Sequence, residues 1–98
     1  MQDNKVLIAI ATYKEAENIK NLIDQIRLYS PSATILIIND NSNDGTKDIF
    51  EKIQNKNLVY IERPKKMGLG TAHKLSIFYA IKYNYNFLLT MDADFSHD

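Results

Sequence analysis

The chain has 98 residues, of which 45% are hydrophobic and 24% charged, and it contains no cysteine. This length allows one hydrophobic core, and the composition is that of a folded globular protein. Twelve basic and twelve acidic residues give a formal net charge of +0, so no overall basic field would hold nucleic acid. Without cysteine, disulfides and thiolate metal sites are excluded. We expect a single domain over residues 1–98 that does not bind nucleic acid.

The beginning of the chain shows no pattern of a targeting segment. Residues 1–4 are polar, and the apolar run from Val6 to Ala11 is shorter than the apolar core of a signal peptide or a membrane span. The sequence therefore predicts a cytoplasmic protein.

Four short apolar runs recur along the chain, at residues 5–11, 33–38, 58–61 and 87–91. They are rich in branched side chains and apolar at successive positions, which is typical of parallel strands buried on both faces. Each run is separated from the next by a helical pattern. Strands that alternate with helices predict an α/β fold with a parallel sheet and right-handed crossovers.

Three helices are predicted between these strands. Apolar residues at helical spacing predict the first over about 15–29 and a short second one around Ile49 to Ile53. The third follows a basic, glycine-containing loop over residues 63–70. Its predicted buried positions are Ala72, Leu75, Phe78, Ala80, Ile81 and Tyr85.

Polar side chains follow three of the predicted strands. Tyr13 and Glu15 follow the first, Asp40 ends the second, and Asp92 and Asp94 end the fourth. In open α/β sheets, ligands bind beyond the carboxyl ends of the strands. We therefore expect these residues, which are far apart in sequence, to converge on one rim of the sheet.

Asp92 and Asp94 are the candidate metal ligands. Two residues apart in an extended segment, they would present both carboxylates on one face. Mg²⁺ and Mn²⁺ prefer such oxygen ligands and complete their coordination with water and substrate phosphates. A solvated turn is the alternative interpretation of an Asp-x-Asp pattern, but its place after a buried strand favours the metal.

Asp40 begins a polar loop with two interpretations. Asn, Asp and Gly over residues 39–46 are typical of tight turns and helix N-caps. A carboxylate at a strand end can also accept hydrogen bonds from a nucleobase N–H or a ribose hydroxyl. Both roles are open on the residues alone.

The basic loop likewise has two interpretations. Gly68 and Gly70 could cradle a phosphate at a helix start, or could simply join loop to helix. Arg63, Lys65 and Lys66 could add positive charge for a diphosphate, or could be solvated.

Four segments in chain order carry a family resemblance, and together they span nearly the whole chain. Ala11-Thr12-Tyr13-Lys14-Glu15 resembles a Pro-Thr-Tyr-Asn-Glu motif, and residues 39–46 resemble Asp-Asp-x-Ser-x-Asp-Gly-Thr. Residues 63–72 resemble Arg-Pro-x-Lys-x-Gly-Leu-Gly-Thr-Ala, and residues 92–97 resemble Asp-Ala-Asp-Leu-Ser-His. These are motifs of family 2 GT-A glycosyltransferases, in the branch of the dolichyl-phosphate and polyprenyl-phosphate mannosyltransferases.

The resemblance implies a fold and a set of site residues. The fold is the nucleotide-binding half of the GT-A architecture, a Rossmann-like βαβαβαβ sheet with flanking helices and strand order 3-2-1-4. The implied donor-binding residues are Ala11, Tyr13, Glu15, Asp40 and Asp92. The implied metal ligands are Asp92, Asp94 and Ser96, and Asp94 is the implied catalytic residue.

The resemblance also implies ligands and a location. It implies Mg²⁺ or Mn²⁺, a nucleotide-sugar donor such as GDP-mannose, and a lipid phosphate acceptor at the membrane surface. Enzymes of this family continue beyond the Asp-Ala-Asp motif, so we expect the chain to be the donor-binding half of a longer enzyme. That enzyme would be cytoplasmic, or peripheral at the cytoplasmic face of the membrane.

Departures from the family motifs leave the donor open. Ala11 replaces a proline, Lys14 an asparagine, and Asn39 the first aspartate of its loop. A UDP-sugar is therefore an alternative donor. A separate alternative, from a different functional class, is a non-catalytic nucleotide-binding chain. A receiver-like domain phosphorylated on Asp40 is disfavoured, because the sequence has neither an early acidic pair nor a lysine after a late strand. An exposed edge of the sheet also predicts self-association.

Overall fold

A four-stranded parallel sheet forms the centre of the structure, a computed structural model that describes residues 5–12, 16–40, 57–63 and 69–92. The strands are β1 (Val6–Thr12), β2 (Thr34–Asp40), β3 (Leu58–Arg63) and β4 (Phe87–Asp92). Their order is β3-β2-β1-β4, and every adjacent pair is parallel. The predicted Rossmann-like α/β fold and its strand order 3-2-1-4 are confirmed.

Two described helices flank the sheet. Helix α1 (Ala16–Tyr29) follows β1, and helix α2 (Leu69–Lys82) follows β3. The helix predicted over about 15–29 is therefore confirmed. The helix predicted around residues 49–53 lies outside the described residues. Neither described helix is long and apolar enough to cross a membrane.

The core has two layers because successive side chains of a strand point to opposite faces of the sheet. On one face, Ile8 and Ile10 of β1 pack with the apolar side of α1. On the other face, Leu7 and Ala9 pack with α2. We call these the α1 face and the α2 face. Both faces of β1 and β2 are buried, as their continuous apolar runs predict.

The prediction for the buried side of α2 was partly wrong. Ala72 and Ala80 are buried against the sheet, as predicted. Phe78 is 63% exposed and Ile81 is 72% exposed, contrary to the prediction. The buried side instead includes Ser76, whose hydroxyl donates to the carbonyl of His73 at 2.8 Å. Because α2 is apolar on both sides, its sequence does not identify the side that faces the sheet.

Both ends of the loop predicted over residues 63–70 belong to regular secondary structure. Strand β3 continues through Arg63, which pairs in register with Asp40 of β2. Helix α2 begins at Leu69, so Gly70 lies within its first turn. Arg63 is therefore the last residue of β3 rather than a loop residue. Its acidic partner, Asp40, lies on the adjacent strand.

The amino ends of β1 and β4 are joined by Lys5. Its backbone N–H donates to Oδ1 of Asn86 at 2.8 Å, and its Nζ donates to the carbonyl of Tyr83 at 2.8 Å. The same Nζ lies 4.5 Å from the ring centre of Tyr85. Asn84, in the turn between α2 and β4, has a φ of 61°, a conformation that asparagine tolerates. These contacts fix where β4 enters the sheet.

Candidate functional site

The carboxyl ends of the four strands lie side by side along one rim. Ala11 of β1 pairs in register with Asp92 of β4. On the other side of β1, Thr12 pairs with Asn39 of β2. Asp40 of β2 then pairs with Arg63 of β3. The rim therefore brings together segments that are separated by up to some eighty positions in the sequence.

Asp40 and Arg63 form a buried ion pair at this rim. The Nε of Arg63 donates to Oδ1 of Asp40, and the two residues are only 7% and 6% exposed. Nη1 of Arg63 also donates to Oγ1 of Thr71 in the first turn of α2, at 2.9 Å. The pair connects β2, β3 and α2, and it fixes the orientation of the Asp40 carboxylate.

This pair changes the interpretation of both residues. Asp40 is a buried member of β2 rather than a solvated turn residue, and Arg63 is not a solvated loop cation. Sequence reasoning left Arg63 among the loop cations and missed its link to Asp40. The alternation of Val59, Ile61 and Arg63 could have placed Arg63 on a buried face of the strand, but it does not identify Asp40 as the partner.

A second polar chain crosses the rim on the α1 face. The hydroxyl of Thr12 donates to Oδ1 of Asn39 at 3.0 Å, and Nδ2 of Asn39 donates to the Tyr60 hydroxyl at 2.8 Å. The Tyr60 hydroxyl donates to Oε1 of Glu62 at 2.9 Å. The chain runs from buried Thr12 to exposed Glu62. Sequence reasoning missed Tyr60 and Glu62, since only the strand register brings them to Asn39.

The predicted site residues are placed in part. Ala11 is half-buried and packs on the α2 face. Asp40 lies on that face as well, and the backbone of Asp92 pairs beside Ala11. The remaining predicted site residues lie outside the described residues. These are Tyr13, Glu15, Asp94 and Ser96.

The predicted metal ligands have a suitable chemistry. Asp92, Asp94 and Ser96 offer two carboxylates and a hydroxyl, which are hard oxygen donors of the kind that Mg²⁺ and Mn²⁺ take. Asp92 is the last residue of β4, so this donor set begins at the rim. The described part of the chain contains no group of three histidine, cysteine or acidic side chains arranged for a metal. The metal site stays a prediction.

Gly70, in the first turn of α2, has open space on the side where a side chain would lie. Among the residues that the structure describes, no atom lies within 4 Å of a Cβ atom added there, so none of them requires a glycine at this position. Gly68, the other glycine of the predicted phosphate cradle, lies outside the described residues. The cradle therefore stays a prediction.

An apolar cavity lies on the α1 face, between α1 and β4. Its volume is about 260 Å³, and its walls include Leu22, Ile26, Leu89 and Met91. It has no charged lining residue. The cavity is therefore unsuited to a diphosphate, and the polar rim is the better candidate for the functional site.

Two side chains away from the rim have shifted pKa values. Partial burial lowers the pKa of the Arg27 guanidinium below its ordinary value. Burial, followed by the neighbouring Tyr85 and Tyr83, raises the pKa of the Tyr79 phenol. Burial, joined at Tyr79 by the neighbouring tyrosines, accounts for both pKa shifts, so neither shift identifies a functional site.

The chain is similar to known proteins over nearly its whole length. The sequence profile described as "Glycosyl transferase family 2" matches residues 7–98. The chain is 31% identical over 96 residues to a polyprenol monophosphomannose synthase of Mycolicibacterium smegmatis, covering 95% of this chain and 36% of the relative. It is 32% identical over 95 residues to an undecaprenyl-phosphate mannosyltransferase of Micrococcus luteus, covering 95% of this chain and 39% of the relative. The chain thus spans well under half the length of these relatives.

Proposed function

The chain belongs to glycosyl transferase family 2, and we propose that it is the donor-binding half of a glycosyltransferase that transfers mannose to a polyprenyl phosphate. The proposed donor is GDP-mannose, and the proposed reaction is inverting and dependent on Mg²⁺ or Mn²⁺. The proposed location is cytoplasmic, at the cytoplasmic face of the membrane.

One observation carries this proposal: the rim of the sheet. Ala11, Asp40 and Asp92 occupy the carboxyl ends of three adjacent strands, where ligands of open α/β sheets bind. The sequence then continues from Asp92 to Asp94 and Ser96, which would supply further oxygen ligands at the same end. A nucleoside pocket and a metal site would therefore share one rim.

Asp40 has the clearest role in this mechanism. Its carboxylate can accept hydrogen bonds from a nucleobase N–H or a ribose hydroxyl. Arg63 fixes one of its oxygens and stabilises its charge, so Arg63 is a positioning residue. Thr71 holds the other end of the guanidinium, which leaves the pair little rotational freedom.

The rest of the mechanism needs little proton transfer. Asp92, Asp94 and Ser96 would hold the divalent cation, with Asp94 as the catalytic residue. When bound, the cation would neutralise the charge that develops on the leaving diphosphate. A phosphate acceptor is already anionic near neutral pH, so no strong general base is required. Catalysis would rest on positioning of the two substrates.

The names of the two relatives support mannose and a lipid phosphate. One is named for polyprenol monophosphomannose synthesis and the other for mannosyl transfer to undecaprenyl phosphate. The departures at Ala11, Lys14 and Asn39 lie in the motifs that would contact the nucleoside. A UDP-sugar is therefore the second candidate donor.

Calorimetric titration of the chain with GDP and with UDP tests this proposal, each in the presence and absence of Mn²⁺. We expect saturable binding of GDP that requires Mn²⁺ and is lost in Asp94→Ala. Asp24→Ala is the matched control, because Asp24 is an exposed carboxylate on α1 whose partner is Lys20. Tighter binding of UDP would correct the donor. Nucleotide binding that is the same with and without Mn²⁺, and the same in Asp94→Ala, would contradict the metal site.

A transfer assay on the longer enzyme separates catalysis from binding alone. We expect mannose to pass from GDP-mannose to polyprenyl phosphate in the wild type and not in Asp94→Ala. Nucleotide binding without transfer in the wild type would instead identify a non-catalytic nucleotide-binding protein.

A further inference from the structure

Helix α2 is apolar on both of its sides. Its inner side packs on the sheet through Ala72 and Ala80. Its outer side exposes Ile77 (51%), Phe78 and Ile81. Large apolar side chains that cluster on a protein surface ordinarily mark a contact surface. The outer side of α2 therefore has the composition of a contact surface.

The charges on α2 are all of one kind. Lys74 precedes the exposed apolar residues by one turn, and Lys82 ends the helix. Positions 74, 77, 78, 81 and 82 have the spacing of one helical side, so the lysines bracket the apolar residues. No acidic residue occurs between Leu69 and Lys82. We call this side, with Lys74, Ile77, Phe78, Ile81 and Lys82, the outer face of α2.

An exposed tyrosine extends the same pattern beyond the helix. Tyr83 is 45% exposed, and Nζ of Lys82 lies 5.5 Å from its ring centre. At the boundary between lipid headgroups and acyl chains, exposed apolar side chains leave water, tyrosine is enriched, and lysines keep their charge among the headgroups. The charge of such a helix favours anionic lipids.

We propose that the outer face of α2 docks onto the surface of a membrane that contains anionic phospholipid. This inference rests on the proposed function, in which the acceptor is a lipid phosphate. Thr71, in the first turn of α2, contacts Arg63 of the rim. Phe78 lies seven positions farther, about 10 Å along the helix axis. One rigid helix therefore links the rim to the docking face and holds the two at a fixed distance.

The charges favour lipid over a second copy of the chain. In an antiparallel pairing of two α2 helices, Lys74 of one copy would approach Lys82 of the other, and α2 has no acidic side chain to neutralise either. Such like-charge contacts oppose association. An anionic membrane surface neutralises both lysines at once.

Co-sedimentation of the chain with vesicles tests the docking face. The vesicles are neutral phosphatidylcholine alone, or phosphatidylcholine mixed with phosphatidylglycerol. We expect binding to the mixed vesicles that weakens as salt is added. The double variant Lys74→Gln with Lys82→Gln should bind about 25-fold more weakly, since each lysine contributes about fivefold near an anionic surface. Phe78→Gln with Ile81→Gln should lose about tenfold or more through the lost apolar contact.

Matched variants on α1 are the controls. Leu28→Gln replaces an apolar residue that is 81% exposed on the opposite face of the sheet, and Lys20→Gln removes an exposed lysine there. Both should bind vesicles as the wild type does, and circular dichroism should show all variants folded. The proposal would be overturned if the folded wild type did not bind the mixed vesicles. It would also be overturned if the α1 and α2 variants lost vesicle binding equally. Loss of self-association in the Phe78 and Ile81 variant without any vesicle binding would overturn it in favour of a protein contact.

The docking face and the proposed function are tested by different assays, vesicle co-sedimentation and nucleotide titration. The α2 variants should still bind GDP with Mn²⁺, because none of the four changed positions belongs to the rim. Vesicle binding without nucleotide binding would contradict the proposed function and leave the docking face intact. Nucleotide binding without vesicle binding would contradict the docking face and leave the proposed function intact.

Discussion

Nε of Arg63 donates to Oδ1 of Asp40 where two adjacent parallel strands end, and both residues are buried. A buried ion pair is costly to break, because removing one partner leaves the other charge desolvated and uncompensated. We therefore expect the free energy of unfolding to fall much more when one partner is changed than when both are changed.

Arg63→Met should lower the free energy of unfolding by about 3–5 kcal/mol, because the Asp40 carboxylate would remain buried without this cation. The double change Asp40→Leu with Arg63→Met should recover part of that loss, since no buried charge remains. Urea denaturation measures both. The exposed pair Lys20–Asp24 is the control, and Lys20→Met should cost about 1 kcal/mol or less. Equal costs for Arg63→Met and Lys20→Met would contradict the assignment.

Tyr60→Phe tests the second polar chain of the rim. The change removes the hydroxyl that accepts from Asn39 and donates to Glu62. We expect a loss of about 1–2 kcal/mol in the free energy of unfolding, since each such bond contributes about 1 kcal/mol. Tyr29→Phe is the control, because Tyr29 is largely exposed, and it should leave stability unchanged. If the two variants melt alike, the hydrogen bonds of the Tyr60 hydroxyl contribute nothing to stability.

Arg27 should be needed for the junction between α1, β2 and β3. Its guanidinium donates to the backbone carbonyls of Ser30, Ala33 and Asn57, and partial burial lowers its pKa. Arg27→Lys keeps the charge but loses the planar fork that reaches several carbonyls together.

We expect Arg27→Lys to cost about 1–3 kcal/mol, the range for hydrogen bonds to charged groups. Thermal unfolding measures it, with Lys20→Arg as a control at an exposed position of the same helix. If Arg27→Lys were as stable as the wild type, a positive charge alone would be enough to hold the junction between α1, β2 and β3.

Strand β4 should promote self-association. It lies at an edge of the described sheet, and Phe87, Leu89 and Met91 are exposed on its α1 face. Edge strands are usually protected by charged side chains or proline, and residues 87–91 contain neither. We expect the apparent mass in analytical ultracentrifugation to rise with concentration.

Leu89→Lys should shift that association to higher concentration, because a lysine on the edge opposes pairing. Leu28→Lys, on the outside of α1, is the matched control and should not. A wild-type chain that stays monomeric over the whole concentration range would contradict the role of this edge.

Much of the fold could be predicted from the sequence because each strand carries a continuous apolar run. The runs at 33–38 and 87–91 fall within one or two residues of β2 and β4. The same reasoning failed where both sides of an element are apolar. Phe78 and Ile81 match a buried helical pattern as well as Ala72 and Ala80 do, and periodicity cannot tell the side facing the sheet from the side facing outward.

The candidate site could be predicted only in its outline. Asp40 and Asp92 were predicted at the rim because parallel strands end at the same edge of a sheet. The partner of Asp40 could not be predicted, since pairing with Arg63 depends on the register between β2 and β3. A one-residue shift in register would place these side chains on opposite faces.

The location of a bound nucleotide is the most direct test of the central claim. Backbone amide shifts of the isotope-labelled chain would be recorded by nuclear magnetic resonance as GDP and Mg²⁺ are added. We predict that the changes cluster at the carboxyl ends of the strands, at Ala11, Asp40 and Asp92, and weaken in Asp40→Asn. Shifts confined to the apolar cavity around Leu22 and Leu89, or a folded chain whose shifts do not move at all, would contradict a nucleotide-sugar site at this rim.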